Sequence, residues 1–248
     1  IPESPNRVGG HFAFSDWCFQ AGVYAALTAT CFPGVRRVLD VGCGAGAIVP
    51  GILQMLEENG EYHGLDIDPL MITLCRQHYQ DSRAKFSVLG ERSPFYSLDN
   101  AQAQSEMQLD TVCSGSAWDM IVAKALFDHL TPADLERYIA IFQRGLTERG
   151  LVIATFFLLD EDFARNRERL SKRFRFDAEH PKAAGFHYSP GLNAMPEAQL
   201  GIESVRLSEL LAIVGLQIIC TIPGTWRDPQ GHRGVDMPDT VLIGKVSA

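Results

Sequence analysis

The sequence lacks the features that would mark a membrane protein or a nucleic-acid binder. Its 248 residues contain no apolar run near the roughly 20 residues that a membrane span needs, and no signal-peptide pattern. Acidic residues outnumber basic ones, 30 to 22, which gives a net charge of −8. Because phosphate contacts by Lys and Arg dominate nucleic-acid affinity, this balance argues against a nucleic-acid partner. We therefore expect a cytoplasmic protein that binds neither membranes nor nucleic acids.

Paired cysteines and metal-ligand spacings are also lacking. The six cysteines are scattered along the chain, without a Cys-x-x-Cys pair or any similar motif. This pattern is typical of reduced thiols in a reducing compartment, and it predicts no metal site.

The chain does contain enough apolar residues, 46%, to build one sizeable core. Apolar runs typical of strands alternate with helical patterns up to about residue 160, which predicts an α/β fold with a doubly wound, mostly parallel sheet. Two further apolar runs, 216–222 and 240–246, are joined by a turn-rich segment and predict two more strands. We expect a single domain over residues 1–248.

A glycine-rich turn between a strand and a helix stands out near the start of this pattern. The apolar run 38–41 is typical of a strand buried on both faces, and Gly42, Gly44 and Gly46 follow it at once. Residues 47–59 then show helical spacing, with Gly60 as a plausible C-terminal cap. Such a turn lets the backbone approach a ligand closely and directs N–H groups at it.

Two acids near this turn indicate the kind of ligand. Asp66 ends the second predicted strand, 20 positions after Gly46, where an acid can bind both hydroxyls of a ribose. Asp40 lies just ahead of the first glycine, where it would repel a pyrophosphate but suits an ammonium, directly or by orienting the loop. A nucleoside-containing cofactor with an amino-acid moiety is the favoured interpretation. A dinucleotide site or a purely structural turn is the alternative.

The segments LDVGCGAG and GLDIDP, at this separation, resemble the class I S-adenosylmethionine-dependent methyltransferases. The segment WDMIVA at 118–123 is similar to the family's fourth strand. The resemblance implies a Rossmann-like, seven-stranded sheet with a C-terminal antiparallel strand pair. It also implies S-adenosyl-L-methionine as cofactor and S-adenosyl-L-homocysteine as product. The expected cofactor-binding residues are Asp40, Gly42, Cys43, Gly44, Gly46, Asp66, Ile67, Glu91, Arg92, Ala123 and Lys124.

The resemblance also narrows the methyl acceptor. The D/N-P-P-Y signature of amino-group nucleic-acid methyltransferases and a Pro-Cys nucleophile are both missing after the fourth strand. This leaves a small-molecule acceptor. Segments 154–160 and 226–242 resemble bacterial small-molecule enzymes often found near sugar-tailoring enzymes, which favours O-methylation of a hydroxyl on a sugar or natural product. Methylation of nitrogen or a carboxyl group, and a catalytically silent cofactor-binding regulator or scaffold, are the alternatives.

A hydroxyl acceptor must lose a proton, which a base can take, and three histidines are the candidate catalytic residues. His129 lies five residues after Lys124 and resembles a frequent family histidine. It could instead only hydrogen-bond the loop backbone ahead of the Thr131 cap. His11 and His187, with Tyr188, are the other candidates.

Four regions of the chain receive broader predictions. Residues 1–34 are expected to form an N-terminal lid or helix, 35–160 the cofactor-binding core, and 174–202, which is rich in Gly and Pro, a cap or substrate loop. Residues 93–116 are expected to be a surface insertion. The oligomeric state is not predicted.

Overall fold

The computed structural model describes residues 13–90, 107–115, 117–190, 195–228 and 234–246. The chain is α/β, with a mostly parallel central sheet and antiparallel strands at one edge, which confirms the predicted fold class. It divides into two compact units. The first holds the described residues up to 90, with 107–124 and 144–151. The second holds 125–143 and the described residues from 152 onward.

The first unit contains a parallel sheet and the helices that connect its strands. Its elements are α1 Phe14–Cys31, β1 Arg37–Val41, α2 Val49–Met55, β2 Glu61–Asp66, α3 Pro69–His78, β3 Ala84–Val88, α4 Leu109–Ser114 and β4 Trp118–Ala123. The strand order in this unit is β3-β2-β1-β4, and all three pairings are parallel. Strands β1, β2 and β4 carry buried residues on both faces, as the apolar run 38–41 predicted for β1.

A local sequence signal sets the start of α3. The helix begins at Pro69, because Asp68 is its N-cap and accepts a hydrogen bond from Leu70 N at 2.8 Å, while Pro69 occupies the first turn. α2 is shorter than the expected 47–59. It ends at Met55, and the next residue, Leu56, is extended. Gly60 is therefore not a helix cap. It lies in a tight turn, where an added Cβ would come within 2.9 Å of two backbone carbonyl oxygens.

The second unit is built around the long strand β5. β5 spans Leu146–Leu159, and this unit holds it from Val152 onward. The other elements are α5 Pro132–Gly145, α6 Glu161–Asn166, β6 Ala178–Glu179, β7 Phe186–Tyr188, β8 Leu200–Glu203, α7 Ser204–Ile213, β9 Leu216–Ile222 and β10 Asp239–Lys245. β10 pairs with β5 and runs antiparallel to β9, so the predicted closing strand pair is confirmed.

The range 174–202 contains more regular structure than the sequence indicated. β8 pairs parallel with the end of β5, and β7 and β6 continue from it as antiparallel strands. The described residues thus form ten strands where seven were expected. These three strands have two to four residues each, too few to produce an alternating apolar pattern. The role of the range as a cap or substrate loop stays a prediction.

One buried carboxylate joins three segments of the second unit. Asp239, at the start of β10, is fully buried and accepts hydrogen bonds from Leu158 N at 3.0 Å and Gly224 N at 2.8 Å. Trp226 Nε1 donates to it at 3.0 Å, and the Arg227 guanidinium pairs with both of its oxygens at 2.7 and 3.0 Å. Although burial opposes the charge of Arg227, its hydrogen bonds and ion pairs with Asp239 and Asp160 raise its pKa, so the guanidinium stays charged.

No helix among the described residues combines the length and apolar character that crossing a membrane requires.

Candidate functional site

β1 lies where the strand order of the first unit changes direction. The chain passes from β1 to β2 and β3 on one side, and then returns to place β4 on the other side of β1. In parallel sheets, ligands bind beyond the carboxyl ends of the strands at such a switch point. The carboxyl end of β1 leads into Gly42, and that of β4 is Ala123, followed by Lys124. The sequence-predicted glycine turn and Lys124 therefore lie at the position that this topology favours for a ligand.

The glycine turn has a backbone that only glycine adopts readily. Gly42, Gly44 and Gly46 have φ values of 81°, 52° and 86°. The turn is fixed to the end of β2, because the N–H groups of Gly42 and Cys43 both donate to Leu65 O, at 2.8 and 2.9 Å. The alternating glycines in the sequence thus reflect a real conformational requirement.

Asp66 joins the turn to the end of β2. Its Oδ2 accepts a hydrogen bond from Gly44 N at 2.7 Å, and its Oδ1 accepts one from Asp68 N at 2.9 Å. Burial nevertheless raises the pKa of Asp66 above its ordinary value, although these backbone hydrogen bonds act in the opposite direction. Each carboxylate oxygen has a second lone pair, so Asp66 can still accept hydrogen bonds from a ligand.

Asp40 is a buried acid behind the turn. Its side chain is 1% exposed, and its Oδ2 accepts a hydrogen bond from Tyr62 Oη at 2.5 Å. Burial raises its pKa from 3.8 to about 7. The Tyr62 hydrogen bond opposes this shift, the Asp66 charge adds to it, and the Lys124 charge opposes it. The hydrogen bond from Tyr62 to Asp40 was not predicted, because a tyrosine within an apolar strand pattern gives no sign of an acidic partner.

Helix α3 and its C-cap donate two hydrogen bonds to the glycine turn that were not predicted from the sequence. Cys75 Sγ donates to Gly44 O at 3.3 Å, and Tyr79 Oη donates to Gly46 O at 2.8 Å. Cys43, inside the turn, is buried and also directs its thiol at Gly44 O, at 3.7 Å. Contact with Cys75 and burial raise the pKa of Cys43, so it remains a thiol that fills space.

The predicted cofactor residues fall into two groups. The structure brings Asp40, the glycine turn, Asp66 and Lys124 together, whereas Glu91 and Arg92 lie outside the described residues. Ala123 is buried as the last residue of β4, and Ile67 directs its backbone N–H at Asp66. Cofactor binding by each of these residues stays a prediction.

The candidate bases lie in the second unit, except for His11, which is outside the described residues. His129 is in the 3₁₀ helix Phe127–His129, with Nε2 3.3 Å from Asp128 Oδ2 and Nδ1 3.4 Å from the carbonyl oxygen of Glu197. His187 lies on β7 beside Tyr188, and its Nε2 is 2.9 Å from Glu203 Oε1. The two candidate bases His129 and His187 thus have different acidic neighbours.

Among the described residues, no group of three His, Cys, Asp or Glu side chains is arranged to hold a metal ion.

Comparison with known proteins gives a match to one family model and a consistent fold. Residues 39–152 match the family model described as a methyltransferase domain. Mitomycin 7-O-methyltransferase MmcR is similar in structure, with a TM-score of 0.55 and 14% identity; the match covers 92% of this chain and 53% of that one. This chain therefore spans about half the length of that protein.

Two further structures match over most of both chains. Magnesium protoporphyrin IX methyltransferase from Synechocystis PCC 6803, with bound S-adenosylhomocysteine, has a TM-score of 0.56 and 14% identity, covering 97% of this chain and 90% of that one. CalS10, a SAM-bound amino pentose methyltransferase from Micromonospora echinaspora involved in calicheamicin biosynthesis, has a TM-score of 0.57 and 14% identity, covering 93% and 92%. At these identities the structural similarity shows a shared fold.

Proposed function

We propose that this chain, whose residues 39–152 match a methyltransferase domain, is a class I, S-adenosyl-L-methionine-dependent methyltransferase that methylates a hydroxyl group of a small molecule. The methyltransferase class and the cofactor agree with what the sequence predicted. The hydroxyl acceptor and the cytoplasmic location are the finer parts of the proposal. Among the similar structures, one protein is named for 7-O-methylation and another for N1-methylation, so nitrogen is the competing acceptor atom.

The charges around the glycine turn fit a cationic cofactor, and this is the observation on which the assignment of the cofactor site rests. Burial raises the pKa of both Asp40 and Asp66, and the charge of Asp66 further opposes the ionisation of Asp40. S-Adenosyl-L-methionine carries an ammonium and a sulfonium, and either cation would favour the ionised form of the two acids. It supplies a methyl carbon already activated for transfer. A pyrophosphate would add negative charge to the same place.

We assign parts of the cofactor to residues by their chemistry. Asp66, at the end of β2, would accept hydrogen bonds from the ribose hydroxyls. The turn Gly42–Gly46 would contact the amino-acid end, where Asp40 provides a favourable electrostatic field from behind the backbone.

Transfer to a hydroxyl requires that a proton leave the acceptor, and we propose His129 as the base. Its side chain is 21% exposed, so the ring is held by the protein but remains accessible. The neighbouring Asp128 carboxylate is buried and can stabilise the imidazolium that forms when His129 takes a proton. The remaining contribution of the protein is to orient the acceptor and to exclude water.

Calorimetric titration with S-adenosylhomocysteine tests the cofactor site. Asp66→Ala should weaken binding by about 1.5–3 kcal/mol, the range for hydrogen bonds to a charged group. Glu58→Gln, an exposed acid of the same unit, is the matched control and should bind like the parent. Equal affinity of the parent and Asp66→Ala would place the ribose elsewhere.

Incubation with methyl-labelled cofactor and matched hydroxyl, amine and carboxylate acceptors tests the reaction. Label in the hydroxyl series and a fall of roughly 10²–10⁴-fold in turnover for His129→Asn would support the proposal. Cofactor affinity should stay the same in this variant. Label found only in amines would mean that nitrogen, and not a hydroxyl, accepts the methyl group. If the turnover of His129→Asn stayed within a few-fold of the parent, His129 would be structural, and His187 or Tyr188 would remain as the candidate base.

A further inference from the structure

The C-terminal end of α3 and its C-cap present two hydrogen-bond donors to the glycine turn. Cys75 lies in the last turn of α3, and Tyr79 is the C-cap, whose backbone N–H donates to Cys75 O. Their side-chain donors reach alternate carbonyl groups of the turn: Cys75 Sγ contacts Gly44 O at 3.3 Å, and Tyr79 Oη contacts Gly46 O at 2.8 Å. The end of α3 therefore binds the glycine turn at two points.

The Tyr79 ring is held firmly in this position. It packs against Phe86 of β3 with ring centroids 6.0 Å apart, and a Cβ added to Gly46 would come within 2.5 Å of its Cε2 atom. Burial raises the pKa of Tyr79, so its hydroxyl keeps the proton that it donates. The ring and the third glycine are thus fitted to each other, which explains why the turn needs glycine at position 46.

We propose that Cys75 and Tyr79 are positioning residues for the cofactor, and that they act by fixing the direction of the peptide groups in the glycine turn. In a planar trans peptide, the C=O of one residue and the N–H of the next point in opposite directions. With the carbonyl groups of Gly44 and Gly46 directed at α3, the N–H groups of Ala45 and Ala47 point away from α3. The N–H group of Gly44 donates to Asp66 Oδ2, and the N–H group of Gly46 donates to Cys43 O.

This proposal rests on the proposed cofactor site and gives α3 a role within it. Without the two donors, the peptide groups of the turn would rotate more freely, and ordering them would oppose cofactor binding. The loss should therefore appear in the affinity for the cofactor, since neither side chain is assigned to the transferred methyl group or to the acceptor.

The test compares Tyr79→Phe, Cys75→Ala and Cys75→Ser with the parent, using the affinity for S-adenosylhomocysteine, the KM for the cofactor and the melting temperature. Tyr79→Phe keeps the ring and removes only the donor, so it should fold and bind about 3- to 10-fold more weakly, as expected for one hydrogen bond. Cys75→Ala should weaken binding in the same direction, and Cys75→Ser, which retains a donor, should recover it. Gln77→Ala, on the exposed face of α3, is the control and should match the parent.

The outcomes separate this proposal from the cofactor site itself. A rise in KM that exceeds any change in kcat, at an unchanged melting temperature, supports positioning. A lower melting temperature with unchanged affinity would mean that the donors are merely structural, and would overturn the proposal. If Asp66→Ala weakens binding but Tyr79→Phe does not, the positioning role fails and the cofactor site stands. If neither weakens binding, the cofactor site itself is wrong.

Discussion

The buried acid Asp40 gives the sharpest prediction about stability. Its pKa of about 7 in the folded protein is higher than the ordinary value of 3.8, which we take for the unfolded chain. Between these two pH values the folded protein therefore binds a proton that the unfolded chain has released. As pH rises through this window, the free energy of unfolding falls, and the penalty is complete above about pH 7.

The size of the effect follows from the width of the window. One pKa unit corresponds to about 1.4 kcal/mol. Raising the pKa of Asp40 from 3.8 to about 7 therefore lowers the free energy of unfolding by roughly 4 kcal/mol between acidic and neutral pH. About 3 kcal/mol of this lies between pH 5 and pH 8, a range in which denaturation can be measured. Asp40→Asn keeps an acceptor for Tyr62 Oη but carries no charge, so it should lack this part of the pH dependence.

Urea denaturation of the cofactor-free protein at several pH values is the assay. Relative to the parent, Asp40→Asn should gain about 3 kcal/mol between pH 5 and pH 8. Glu58→Gln, which removes an exposed carboxylate from the same unit, should follow the parent curve. Parallel curves for the parent and Asp40→Asn would mean that Asp40 is already ionised in the folded protein at pH 5, and would refute the reasoning.

Two further predictions concern packing and buried charge. Asp239→Asn should lower the free energy of unfolding by about 3–5 kcal/mol, because Arg227 would lose its buried counter-ion. The control Arg165→Ala removes an exposed ion pair and should change the free energy of unfolding by less than about 1 kcal/mol. Denaturation with guanidinium chloride measures both values. Gly51→Ala should destabilise the protein by about 1–3 kcal/mol, because its Cβ would lie 1.9 Å from the Ala21 carbonyl oxygen of α1. Gly22→Ala, with nothing within 4 Å of the added Cβ, should melt no lower than the parent.

The parts of the fold that the sequence predicted are those determined by neighbouring residues. The apolar run before Gly42 and the alternating glycines act within a few positions of the chain, and the structure contains both of them. The closing strands β9 and β10 were predicted for the same reason, since each is long enough to show its pattern.

The parts that were missed depend on contacts between distant segments. The strand β7 exists because β8 pairs with the end of β5 and presents its other edge, which a three-residue segment does not reveal. Tyr62 meets Asp40 only because β1 and β2 pair in one particular register, and Tyr79 meets Gly46 across 33 positions of the chain. The acids of the site were therefore predictable, whereas the groups that tune and support them were not.

The carboxylate of Asp239 also has a consequence for how the protein opens locally. It is the common acceptor for Leu158 in β5, for Gly224 just after β9 and for Trp226 two residues further on. If one of these segments separated from it, a buried acceptor would lose a partner while the others remained in place, which is unfavourable. The end of β5 and the segment before β10 should therefore open as one cooperative unit. In native-state hydrogen exchange, the amides of Leu158 and Gly224 should then report the same free energy of opening.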